Sequence, residues 1–524
     1  MRIIAKLSAD VLKKNNNMQQ QNTPFRFMSF KEWVPDSCRF WIYMLFLACF
    51  QFSNGMYFTA MSQMAGSLAI TPNDVKMMSH AMLIGLTMYF PLAFRLKFRF
   101  TNRTCLITAA LTLIMCNLIV PHVHSTPVLV LLCFVAGFAR LFGTFECLSS
   151  VLPKVAPTHN YAVFLSMVFF IVLGVVNVFD IASTHIIYHY NWHYVHLLAI
   201  GLLLVVILCA YTLMRPFRPM PKMPLYGVDW LGLVLWSTFI LALIFVVQYG
   251  NQLNWLDSAY IRAAVGAAML ALAFNIWRMF NVRHPLLEVE AFKSKNLLNL
   301  LLVFLLMGIL LTTKTLLQNT FTGAILHFDT LNTASLKWFE FLGMAVGAVF
   351  AWFALARLKW SKKLITFIGM SFIVLYTAMM YFLMSPAANI EKLYLPLVCC
   401  GFGQVVIFIT LTVYAQATAH FRNYFQVICI LGFIRTGIAS PIGDAIYTRA
   451  MSGVLSKHLA LLGENVLGAN NYLPLQYTLQ DLYGYSVILG VITLIILAAS
   501  RFKRQIGMPI PTVVRMYKLI MHNA

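Results

Sequence analysis

The chain alternates fourteen long apolar stretches with short polar connections. The stretches fall at about 40–61, 75–94, 104–123, 127–151, 162–188, 195–214, 226–248, 259–280, 296–318, 334–356, 364–384, 393–417, 425–448 and 484–500. A helix needs roughly 20 apolar residues to cross the hydrocarbon core, and each stretch is near that length. Within lipid the backbone must satisfy its own polar groups, so the pattern predicts helices. The expected fold class is all-α, a polytopic membrane protein with fourteen transmembrane helices. An even number of crossings puts both chain ends on one side. The longest connection, about 449–483, contains an amphipathic run from Met451 to Leu462 that suits a helix lying along the interface.

Composition agrees with this reading. Hydrophobic residues make up 60% of the chain and charged residues 10%, too apolar for a soluble core in a polar coat. The net charge of +22 is spread over many loops, which fits topology rather than nucleic-acid binding. Of the 38 basic residues, 29 fall on one face, including Arg95, Lys97, Arg99 and Arg103 between spans 2 and 3. The other face holds six, namely Lys76, Arg262, Lys337, Lys392, Arg449 and Lys457. The positive-inside rule then predicts a multi-pass protein of the cell (inner) membrane with both termini cytoplasmic. Residues 1–39 read as a cytoplasmic segment and 501–524 as a cytoplasmic tail. The ten cysteines lie in or beside apolar spans, and no outer loop carries a pair suited to a structural disulfide.

Many spans with short loops suit a channel, a transporter or a membrane-embedded enzyme, and motifs separate these. Asp229-Trp230-Leu231-Gly232 opens span 7, and His284-Pro285-Leu286-Leu287 precedes span 9. Asn191-Trp192-His193-Tyr194 stands between spans 5 and 6. Arg435-Thr436-Gly437-Ile438 and Ile442-Gly443-Asp444 fill span 13. In this order the motifs resemble the fourteen-span drug:proton antiporters of the major facilitator superfamily, the EmrB/QacA-type branch, over about residues 40–500. The resemblance implies a six-helix bundle at 40–214, two inserted helices within 215–280 and a second bundle at 281–500. It also implies a central cavity opening alternately to each side. Some such exporters work with a periplasmic adaptor and an outer-membrane duct, and the 449–483 connection is a conceivable docking surface.

Departures from the family pattern bear on coupling rather than architecture. The 2–3 connection keeps the bases Arg95, Arg99 and Arg103 but lacks the family's Gly and Asp. Span 5 reads Gly174 to Asp180 without the family's proline. Span 1 has Asn54-Gly55 where many relatives carry an aspartate.

A charge at mid-bilayer costs roughly 2.5–3.5 kcal/mol on insertion scales, so such residues face a cavity or a partner. Arg140 and Glu146 on span 4 are six residues apart, about 9 Å of rise and off-register, so they do not share a stripe. Arg140 therefore needs a carboxylate on a neighbouring helix, for which Asp180 is a candidate. These groups, with Glu340 and Asp444, form either a proton-responsive set or fixed ion pairs and vestibule residues. Lys314, with Gln318 one turn on, suits an anionic substrate group or snorkels to the headgroups. Gln51, Asn54 and Tyr57 of span 1 are candidates for the cavity wall. Arg435, Gly437, Gly443, Asp229 and Trp230 belong to the family motifs. His185 and His189 are one turn apart, which suits a metal, a pH-sensing rim or ordinary interface positions.

No Gly-rich phosphate loop and no hydrolytic cluster occur, so an enzyme is not expected, and no cofactor. The leading expectation is proton-driven efflux of amphipathic or lipophilic compounds. The alternatives are an exporter or flippase of a specific metabolite or lipid with altered coupling, and a non-transporting scaffold.

Overall fold

The computed structural model describes residues 27–52, 59–157, 160–292, 295–386, 388–418, 423–462 and 472–500. Thirteen helices among these residues are long and apolar enough to cross a membrane. They are α2 (Pro72–Arg99), α3 (Asn102–His122), α4 (Thr126–Val155), α5 (Tyr161–His189), α6 (His193–Leu213), α7 (Trp230–Tyr249) and α8 (Ala259–Asn281). The second half adds α9 (Leu297–Ile325), α10 (Thr330–Arg357), α11 (Lys362–Leu383), α12 (Ile390–Ala417), α13 (Tyr424–Leu461) and α14 (Leu473–Ala499). The first predicted span, about 40–61, begins in α1 (Asp36–Gln51), and its residues 53–58 lie outside the described residues.

Local signals start the helices where the polar connections end. Thr71 caps α2 through a capping box with Asp74, and Pro72 occupies the first turn, where its missing N–H costs nothing. Asp229 caps α7 by accepting from the Gly232 amide at 2.8 Å. The predicted 449–483 connection is corrected here. Met451 to Leu462 continues α13, and α14 begins at Leu473. The two extensions run together past the far face, joined by His458 Nε2 and Asp481 Oδ2 at 2.9 Å. One side of the amphipathic run packs against α14, where His458 also lies beside the Tyr477 ring.

Two six-helix bundles, α1–α6 and α9–α14, pack by the same scheme. In the first, α4 lies against α2, α3 and α1, and α3 against α6. In the second, α12 lies against α10, α11 and α9, and α11 against α14. The inserted α7 runs along the seam between α2 and α13, and α8 packs on α7. The bundles meet through α5 on α10 and α12, and through α2 on α13.

Four glycines record the repeat residue by residue. A Cβ on Gly85 would overlap the Phe134 carbonyl, and one on Gly137 the Met82 carbonyl. In the second bundle a Cβ on Gly343 would overlap the Val398 carbonyl, and one on Gly401 the Glu340 carbonyl. In both pairs each glycine faces the residue three positions before its partner. Backbones this close require the smallest side chain, as in other membrane helix pairs.

Gly137→Val should therefore unseat α2 from α4 and lower the thermal unfolding temperature in detergent. Overpacking alone costs about 1–3 kcal/mol. Gly201→Ala, with nothing within 4 Å of the new methyl, should melt like the parent chain.

Candidate functional site

Between the bundles lies a cavity of about 360 Å³. Its wall comes from the basic-face halves of α2, α4, α5 and α13, with Gln51 of α1, Phe304 of α9 and Phe408 of α12. Eleven of its 35 lining residues are aromatic. Among the described residues three lining ones carry charge, Lys97, Arg140 and Arg435, and none is a carboxylate.

Arg140 is buried at mid-α4 and donates to Gln51 Oε1. Gln51 in turn donates to Thr144 Oγ1 at 3.0 Å, so α1 and α4 are joined through the arginine. The expected pairing of Arg140 with Asp180 is not what forms, because Lys337 takes Asp180. Arg435 sits in a π-helical turn, Phe433–Ala439, which inserts an extra residue into α13. Such turns are frequent at functional sites. Its guanidinium carbon lies 4.3 Å from the centre of the Phe408 ring. Among the described residues it has no oxygen acceptor and no carboxylate. Gly432 holds α13 close to α2, since a Cβ there would strike Thr87.

The other membrane charges form lysine–carboxylate pairs, each between two helices. Lys97 of α2 bonds Glu146 of α4 at 3.2 Å, and Ser150 supports the same carboxylate at 3.2 Å. Lys314 of α9 pairs with Glu340 of α10. The remaining two join the bundles near the far face. Lys76 of α2 bonds Asp444 of α13 at 2.6 Å, and Lys337 of α10 bonds Asp180 of α5 at 2.5 Å. Thr59 also donates to Asp180, at 3.4 Å. In the repeat, α2 corresponds to α10 and α5 to α13, so the two far-face pairs are counterparts. Lys76 precedes Gly85 by nine residues and Lys337 precedes Gly343 by six, one turn apart in register.

The far end of α7 adds to this closure. Gln248 donates to Asn73 at 3.0 Å, Tyr249 to Asp74, and Arg449 of α13 to Asn251 at 3.3 Å. On the basic face the bundles meet through rings instead. Phe94 and Phe425 lie 4.7 Å apart, and Tyr161 and Tyr424 5.8 Å apart.

The remaining sequence candidates divide cleanly. Gln51 lines the cavity, whereas Lys314 and Gln318 do not. Gln318 accepts instead from the Tyr376 hydroxyl at 2.9 Å. Asn54 and Tyr57 lie outside the described residues. Asp229 is an anchor. It pairs with Arg278 of α8 and accepts from the Leu286 amide at 3.1 Å, tying α7, α8 and the 8–9 connection together. Trp230 is half exposed at the start of α7. Arg95 packs over Gly227, and Arg103 lies 5.1 Å from the Tyr211 ring centre. Arg99 ends α2. Gly437 admits Ile240 and Ile84, and Gly443 admits Thr312. No group of three His, Cys, Asp or Glu suited to a metal ion occurs among the described residues. Sequence reasoning missed Lys76 and Lys337, which were assigned to far-face loops. Their shared placement, nine residues before Gly85 and six before Gly343, is the signal that marks them.

Lys314→Met should leave the buried Glu340 carboxylate uncompensated and destabilise the fold by about 3 kcal/mol, the low end for breaking a buried pair. Lys314→Met combined with Glu340→Leu should recover most of that loss, read as the thermal unfolding temperature.

Known proteins place this architecture. The profile of the Major Facilitator Superfamily matches residues 43–443. An MFS-type transporter of Mycobacterium tuberculosis, itself uncharacterised, is 30% identical over 224 residues. That match spans 42% of this chain and 36% of the relative, little more than a third of its length. The fold is similar to that of an auto-inhibited POT-family peptide transporter, with a TM-score of 0.56 and 14% identity over 90% of this chain and 99% of that one. A second POT peptide transporter, solved with sulfate, gives 0.58 and 12% identity over 89% and 96%. A nucleoside transporter gives 0.53 and 13% over 87% and 98%. The matched profile, the repeated bundles and the cavity between them agree: the chain belongs to the Major Facilitator Superfamily, with the multi-pass membrane architecture of that family.

Proposed function

We propose that the chain is a secondary active exporter of amphipathic compounds, driven by protons and working by alternating access. The observation that carries this reading is the inter-bundle cavity, aromatic in its walls and set in the basic-face half. Two lysine–aspartate pairs join the bundles across the far-face half. With the basic face cytoplasmic, substrate enters from the cytoplasm or the inner leaflet. Release then requires the far-face pairs to part. The placement of α7 and α8 between the bundles, with Asp229 anchoring them, supports the fourteen-span drug:proton branch.

Protons act on the pairs directly. A protonated aspartate no longer holds a lysine, so protonating Asp180 or Asp444 from the far face weakens the contact that keeps that face shut. The bundles then tilt about the α5–α10 and α2–α13 seams as rigid bodies. Glu146 is the basic-face site from which a proton is released, because its lysine partner reaches the cavity wall. One charge crossing the membrane potential supplies about 2.3 kcal/mol per 100 mV.

The test uses the full-length chain in proteoliposomes under an imposed proton gradient, with a lipophilic dye as substrate. Dye movement should collapse on addition of an uncoupler. Asp180→Asn and Glu146→Gln, made separately, should each lose most of the gradient-driven rate while still exchanging dye without a gradient. Full gradient-driven activity in both variants would remove these carboxylates from the mechanism. An uncoupler-insensitive parent would refute proton drive.

A further inference from the structure

We infer that the cavity selects amphipathic organic anions, with Arg435 receiving the anionic group and the aromatic wall receiving the apolar body. The inference deepens the export reading and rests on it.

The first ground is the charge of the wall. Its three ionic residues among the described ones are all basic; Lys97 is matched by Glu146, and Arg435 has no carboxylate partner among the described residues. Arg435 faces the cavity against the Phe408 ring, and that contact supplies no oxygen acceptor for its N–H groups. A guanidinium lining a cavity in the membrane interior is stabilised by an anion or ordered acceptors. Its planar fork of donors matches a carboxylate or sulfonate in bidentate geometry. A ligand bringing that group supplies what the protein withholds. A cationic ligand would meet Arg435 with no carboxylate among the described lining residues to offset it.

The second ground is how Arg435 is held. The π-helical turn Phe433–Ala439 re-aims its side chain relative to a regular helix. Gly432 and Gly437 on either side press α13 against Thr87 of α2 and Ile240 of α7. The arginine is thus fixed at the seam between bundles, where a bound anion would be felt by both halves.

The third ground is size and texture. A volume of about 360 Å³ is at the small end of ligand pockets, which run from roughly 300 to 1,000 Å³. It accommodates one small drug-sized molecule and excludes a two-chain phospholipid. Phe145, Phe169 and Phe425 offer ring surface to an aryl or short alkyl body.

The test compares three naphthalene derivatives of matched size, 2-naphthylacetate, 2-naphthylacetamide and 2-(2-naphthyl)ethylammonium. Binding to the purified full-length chain is measured by titration calorimetry. The carboxylate should bind at least about tenfold more tightly than the amide or the ammonium, the factor expected from charge-assisted hydrogen bonds. Arg435→Gln should bring the carboxylate down to the affinity of the amide. Arg435→Lys should keep part of the preference, since the charge remains without the fork. Equal binding of the three compounds, preference for the ammonium, or an unchanged preference in a folded Arg435→Gln chain would overturn the inference. If the glutamine variant does not fold, the ranking on the parent chain decides alone. Failure of the export reading looks different. The carboxylate would then bind with the expected preference yet not cross a reconstituted bilayer. Equal transport of all three compounds would sink the anion site and leave export standing.

Discussion

A charged side chain inside a bilayer persists only beside an opposite charge or along a polar passage. This constraint sorts the ionic residues of the chain into two sets. Glu146, Asp180, Glu340 and Asp444 each hold a lysine from another helix. Two of these pairs stay within a bundle and brace it, while the other two cross between bundles near the far face. Arg140 and Arg435 are the other set, and both line the cavity. The paired charges set which helices touch, and the arginines set what the cavity can hold.

The glycine pairs explain how such a structure can move without falling apart. Gly85 with Gly137, and Gly343 with Gly401, bring backbones into direct contact inside each bundle. Contacts of that kind are short and have no side chains to repack, so each bundle behaves as a rigid unit. Between bundles the contacts are of softer kinds, ion pairs on one face and aromatic rings on the other. Rings can slide against one another at small cost, and ion pairs respond to protonation. Motion is therefore concentrated at the seams.

The placement of thirteen of the fourteen expected spans was legible because hydropathy reports the one property that lipid demands of every span. Hydropathy reports lipid contact, however, and not helix length. It stopped α13 near Tyr447, although the helix runs on to Leu461. Ionic partners were less legible, since they depend on which face of one helix meets which face of another. Arg140 was expected to pair with a carboxylate on a neighbouring helix. Its side of α4 faces Gln51 on α1, and Lys337 from the other bundle claims Asp180. Arg435 looked like a motif residue of the helix framework. Its place in the cavity wall, against the Phe408 ring, emerges only once the helices are assembled. The repeat was hidden for a similar reason, being carried by four glycines among 27 and by contacts rather than by strings of residues.

The central claim is that Lys76–Asp444 and Lys337–Asp180 hold the far face closed and that their loss lets it open. Spin labels placed at the far ends of α5 and α10, and separately of α2 and α13, report that separation as a distance distribution. In the parent chain each pair of labels should give one short distance. In the Asp180→Asn, Asp444→Asn double variant a second, longer population should appear for both, as expected when one state of a two-state equilibrium is destabilised. A single unchanged distance in the double variant would contradict the account.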